Sequence, residues 1–87
     1  MVPTNNGLII NCADGGTDLK LLSSADTGDY FSIVTTTHGA TTIATIDDNA
    51  TAADLTFDVD GDSILDPAGA DVLPPSDNSV NLGSASK

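Results

Sequence analysis

The 87-residue chain contains no Glu, Gln, Arg or Trp. The first three belong to the residues that build exposed helix faces, so their absence argues against helices. Basic side chains are confined to Lys20 and Lys87, against thirteen acidic residues that are all Asp, for a net charge of −11. Binding to nucleic-acid phosphates needs Lys and Arg, and anionic membrane surfaces repel such a chain; neither partner is expected. No stretch approaches the ~20 apolar residues of a membrane span. Residues 1–5 lack the basic start and apolar run of a signal peptide. Cysteine occurs once, as Cys12, so no internal disulfide can form. Tyr30, Phe31 and Phe57 are the only aromatics, which leaves few platforms for stacking a sugar.

What is present is strand and turn material. Eleven Thr, eight Ser and eight Gly accompany the Asp residues; Thr, Val and Ile suit strands, and Asp, Asn, Gly and Ser suit turns. Apolar residues recur with period two. Residues 8–12, 18–22, 29–37, 41–46, 54–60, 63–65 and about 80–82 read as short strands. Turn signals separate them about every 8–12 residues, a spacing that fits a sandwich, barrel, solenoid or interwoven fibre. Alternation is cleanest at 54–60, where Leu55, Phe57 and Val59 are expected to be buried while Asp54, Thr56 and Asp58 face water. The expected class is all-β, as one module over residues 1–87 with a flexible start at about 1–6 and a looser Pro-, Ser- and Asn-rich tail at about 67–87. A weak internal echo links Asp18-Leu19-Lys20-Leu21, followed by Gly28-Asp29, to Asp54-Leu55-Thr56-Phe57, followed by Gly61-Asp62. Ten of the residues counted as apolar are Ala, which buries little area. A monomeric core is therefore thin, and self-association is expected.

Chemistry is sparse. His38, the only histidine, precedes Gly39 and reads as a turn residue, not as a catalytic base. Cys12 alternates with Leu8 and Ile10 and reads as a small buried hydrophobe. No phosphate-cradling loop is present, and no catalytic site is expected. The Asn49-Ala50-Thr51 sequon reads as chance. Asp58, Asp60 and Asp62, around Gly61 and with Asp66 beyond, are the candidate metal ligands, for Ca²⁺, since hard cations take several carboxylate oxygens. An EF-hand match fails because Thr56 falls at the first ligand position and Pro67 where a bidentate Glu belongs. A solvated strand face ending in an Asp-Gly hairpin turn is the simpler reading, and it needs no cofactor.

Three phrases resemble bacteriophage tail-fibre shaft and neck segments. One joins Gly28-Asp29-Tyr30-Phe31-Ser32-Ile33 to Gly39-Ala40-Thr41-Thr42-Ile43-Ala44-Thr45-Ile46-Asp47, similar to a recurring strand pair of those fibres. Another runs from Ala53-Asp54-Leu55-Thr56-Phe57 through Gly61-Asp62-Ser63-Ile64-Leu65-Asp66-Pro67-Ala68-Gly69, similar to a repeated fibre unit, with Ser63 shifting the register by one. The last runs from Leu73-Pro74-Pro75 to Lys87, similar to the sequence preceding a C-terminal intramolecular chaperone, whose self-cleaving Ser/Lys machinery is not expected within these 87 residues. The resemblance implies a non-enzymatic, homotrimeric β-rich rod or collar of the virion tail. Such a module acts outside the host cell in host attachment, with other virion proteins and a host surface glycan as partners. A carbohydrate-binding or adhesin β module is the alternative.

Overall fold

A computed structural model of the chain describes residues 5–77 and Val80. It is small and sheet-rich, with almost no helix. β1 spans Leu19–Leu22, β2 spans Tyr30–Thr35 and β3 spans Thr41–Ile46. They form one antiparallel sheet in the order β1-β2-β3, so that among the described residues β1 and β3 are both open edges. The register pairs Leu19 with Ile33 and Leu21 with Phe31, then Phe31 with Thr45 and Ile33 with Ile43. Because strand side chains alternate between faces, Leu19, Leu21, Phe31, Ile33 and Ile43 share one face with Thr35, Thr41 and Thr45. That face carries no charge. The other holds Lys20, Leu22, Tyr30, Ser32, Val34, Thr42, Ala44 and Ile46, and there the Lys20 ammonium sits 4.0 Å from the centre of the Tyr30 ring.

Local chemistry closes both hairpins. Between β1 and β2, the Asp26 carboxylate accepts from the Gly28 N–H (3.0 Å), and the Asp26 carbonyl accepts from the Asp29 N–H (3.0 Å), a side-chain turn of the kind Asp favours. Between β2 and β3, a three-residue loop of 3-10 type, Thr37–Gly39, holds His38 at φ 67° and Gly39 at φ 77°. Gly39 takes that left-handed backbone freely, whereas His38 does so against its Cβ. The Thr36 N–H donates to the Ala40 carbonyl (2.9 Å) and seals the loop. At the opposite end of β1, Asp18 reaches across to accept from the Thr35 N–H (2.6 Å).

Contacts divide the chain into two units, Met1–Thr56 and Phe57–Lys87. The sheet lies wholly in the first. In the second, the described residues form no strand; the Pro67 carbonyl accepts from the Ala70 N–H (2.9 Å) in a turn, and Val72, Leu73, Pro74 and Val80 line a dimple of about 100 Å³.

Several strand expectations are corrected. Residues 8–12 are not a strand, and Cys12 is exposed, its thiol 3.7 Å from the Thr17 carbonyl. Residues 54–60 and 63–65 are not strands either, and Leu55, Phe57 and Val59 are 43%, 72% and 49% exposed. The Asp60-Gly61 hairpin does not form: the chain bends there without the positive φ values that a tight hairpin turn demands. Folding back at that point would set Asp62 opposite Val59, a carboxylate against the apolar side, and Pro67 truncates the returning segment. Of the proposed last strand at 80–82, Val80 is exposed and unpaired, and 81–82 lie outside the described residues. Among the described residues no hydrophobic side chain is buried; only Ser32, at the centre of β2, is (7% exposed).

Candidate functional site

At one end of the sheet, the β1–β2 turn and the loop after β3 meet, because Tyr30 pairs with Ile46 and the flanking residues are carried along together. Both loops are rich in Asp. One carboxylate oxygen each from Asp26, Asp29 and Asp48 lies within 4.8 Å of the others. Gly28 makes this approach feasible, since a Cβ there would overlap the Asp48 carboxylate.

Backbone and amide donors hold the acids in place. Asp29 Oδ1 accepts from the Asp48 N–H (3.1 Å). Asp47 Oδ2 accepts from the N–H groups of Asn49 (2.9 Å) and Thr51 (2.7 Å). With its amide nitrogen turned toward the acids, Asn49 donates to Asp48 Oδ1 and to Asp26 Oδ2 (3.0 Å). The two central carboxyls respond in opposite directions. The hydrogen bond from the Asp48 backbone draws Asp29 down, but desolvation, a hydrogen bond with Asp47 and the charges of Asp26 and Asp47 together leave it above the ordinary 3.8. The Thr51 N–H above all, then Asn49 and the Asp29 hydrogen bond, hold Asp47 below 3.8 against desolvation. Asp29 thus holds its proton more readily than Asp47 does.

An oxygen-only trio suits a hard cation, yet it supplies three ligands where Ca²⁺ takes six to eight, and Asn49 points a donor at two of its members. Asp58, Asp60 and Asp62 are not brought together in this way. They stay in exposed backbone that bends at 60–61. The converging trio was not legible as a motif: Asp48 stands nineteen positions after Asp29, and only pairing of β2 with β3 makes them neighbours.

A second feature is an open groove of about 670 Å³ at the other end of β1 and β2. Ile10, Asn11, Cys12, Asp14, Asp18 and Thr37 are among its walls. The Thr37 hydroxyl donates to the Asp14 carboxylate (3.0 Å) across it. No aromatic ring lines it, so a sugar would find carboxylates and hydroxyls but no stacking surface. His38, exposed on the neighbouring loop, is not among its lining residues. Among the described residues no helix is long and apolar enough to cross a membrane. No protein-family model, curated protein or solved structure matches the chain.

Proposed function

We propose that the chain is a structural segment of a phage tail fibre or related virion appendage, working as a homotrimeric β-rich rod or collar without catalysis. One observation carries this reading: among the described residues a single chain exposes fifteen large apolar side chains and buries none. Exposed apolar surface on this scale marks an interaction surface, and two open sheet edges invite further pairing. Three-fold association covers edges and apolar faces together. The fibre-like phrases at 28–47 and 53–69 supply the biological setting, which is the outside of a virion with other virion proteins as neighbours. A charge of −11 keeps such assemblies soluble and away from nucleic acid.

Light scattering at low micromolar concentration is the test. The trimer gives about 26 kDa, three times 8.7 kDa. A stable, cooperatively folding monomer sinks the fibre reading and favours a glycan-binding module that uses the groove near Asp14 and Asp18.

A further inference from the structure

We propose that residues 55–59 of one copy add as an antiparallel strand to the free edge of β1 in a neighbouring copy, with Asp58 opposite Lys20. The proposal rests on the self-association reading and assigns its contact.

The donor segment is identified by what it lacks. Residues 54–60 alternate as cleanly as any stretch of the chain, yet they form no strand pairing with any other described residue of their own copy and leave Leu55, Phe57 and Val59 exposed. Their sequence echoes that of β1: Asp54-Leu55-Thr56-Phe57 stands against Asp18-Leu19-Lys20-Leu21. A segment with a strand's pattern and no partner is a template for pairing with another chain.

Two edges could receive it, and charge selects between them. Lys20 is the only basic side chain among the described residues, and it lies on edge strand β1. A lysine on an edge discourages indiscriminate strand pairing, but opposite a carboxylate it becomes a favourable cross-strand pair. β3 offers no cation: Thr42, Ala44 and Ile46 would face the incoming Asp residues. Over the face of β3, the Thr45 hydroxyl holds the Ala53 carbonyl of its own chain (2.6 Å), just before the donor segment, while the edge of β3 stays open. The β1 ladder is long enough for the visitor. It runs beyond Leu19–Leu22 through the Asp18 N–H to Ile33 and the Ser23 N–H to Asp29.

The register then follows from parity. Antiparallel pairing that sets Asp58 opposite Lys20 sets Val59 opposite Leu19, Phe57 opposite Leu21 and Thr56 opposite Leu22. Phe57 and Val59 thereby extend the uncharged face of Leu19, Leu21, Phe31, Ile33 and Ile43, and every Asp of the segment goes to the Lys20 face. A slip of one residue reverses this and places carboxylates on the apolar face. Pairing ends at Val59 because the next step sets Asp60 beside Asp18, two like charges.

The test uses the full chain in a Cys12→Ser background. Lys20→Cys chains are mixed with Asp58→Cys chains under mild oxidation. A covalent dimer of about twice 8.7 kDa is expected from the mixture, in greater yield than when Thr56→Cys or Asp66→Cys replaces Asp58→Cys. Equal or higher yield with either control, or no dimer at all, overturns the strand addition. A charge exchange makes the second arm. Lys20→Asp and Asp58→Lys alone each weaken association roughly threefold to fivefold, the size of an exposed cross-strand ion pair, and together they restore it. Absence of restoration with both single variants folded also overturns the proposal. Light scattering of the unmodified chain separates the two levels. A trimer without the Lys20–Asp58 link leaves the trimer standing and removes this contact, whereas a monomer removes both.

Discussion

The sheet at residues 19–46 and the stretch at 51–77 are made of the same kinds of residue, yet only the first becomes regular structure. Both alternate apolar with polar positions, and both carry an Asp-Gly or Gly-Asp turn signal. In the sheet, each turn finds local donors and acceptors: Asp26 holds the N–H of Gly28, and Thr36 bonds Ala40. In the later stretch, the bend at 60–61 lacks the backbone geometry of a hairpin, and the returning segment meets Pro67 within a few residues. Alternation makes a segment competent to be a strand. A partner at the right register makes it one.

The contrast breaks most sharply under mutation of its two apolar sets. Ile33→Ala, at the junction of all three strands, is expected to cost about 1–2 kcal/mol, since the side chain is only half-buried. Its signature is loss of amide protection throughout β2. Leu55→Ala should leave sheet protection intact and lower the oligomeric mass instead. Loss of sheet protection in the Leu55 variant would show that the two regions fold as one unit.

Hydrogen exchange sharpens the comparison without mutation. Amides of β2, bonded on both sides, are expected to exchange slowest, and those of 54–66 close to the unfolded rate in dilute solution. On concentration, protection should appear at 55–59 first. Uniform protection of 54–66 at every concentration would mean that it pairs within its own chain.

The β2–β3 loop gives a smaller effect confined to the sheet. His38 sits at φ 67°, where a Cβ costs about 1 kcal/mol. His38→Gly should therefore leave the melting temperature almost unchanged or raise it slightly, whereas His38→Val should lower it by a few degrees. A stabilising Val variant would contradict the loop geometry.

The smallest effect concerns the Asp cluster and its sign. Asp47 lies below 3.8, so its contribution is present above that value and is lost as pH falls through its folded value. Asp29 lies above 3.8, so its contribution is present below that value and is lost as pH rises through its folded value. Local stability should therefore peak near the ordinary aspartate range and decline above it. Asp29→Asn, which retains the acceptor for the Asp48 N–H, should flatten the decline. Carboxyl carbon chemical shifts followed by NMR give the same answer directly: Asp29 should titrate above Asp47, and the reverse order would refute the opposed shifts.

The residues by themselves determined the strand chemistry of this protein. Without Glu, Gln or Arg there is little from which to build a helix, and the strands Leu19–Leu22, Tyr30–Thr35 and Thr41–Ile46 were legible within the expected segments 18–22, 29–37 and 41–46, the second ending two residues early where Thr37 enters the 3-10 loop, because β-branched residues, period-two spacing and Asp or Gly turns coincide there. The same signals misplaced strands at 8–12, 54–60 and 63–65, because periodicity records which face of a segment could be buried and not whether anything arrives to bury it. Cys12 was misread for that reason. Only the tertiary structure decided which acids meet: Asp58, Asp60 and Asp62 stand at alternate positions in sequence but lie along exposed backbone, while Asp26, Asp29 and Asp48 converge because strand register, a long-range property, folds two distant loops onto the same end of the sheet.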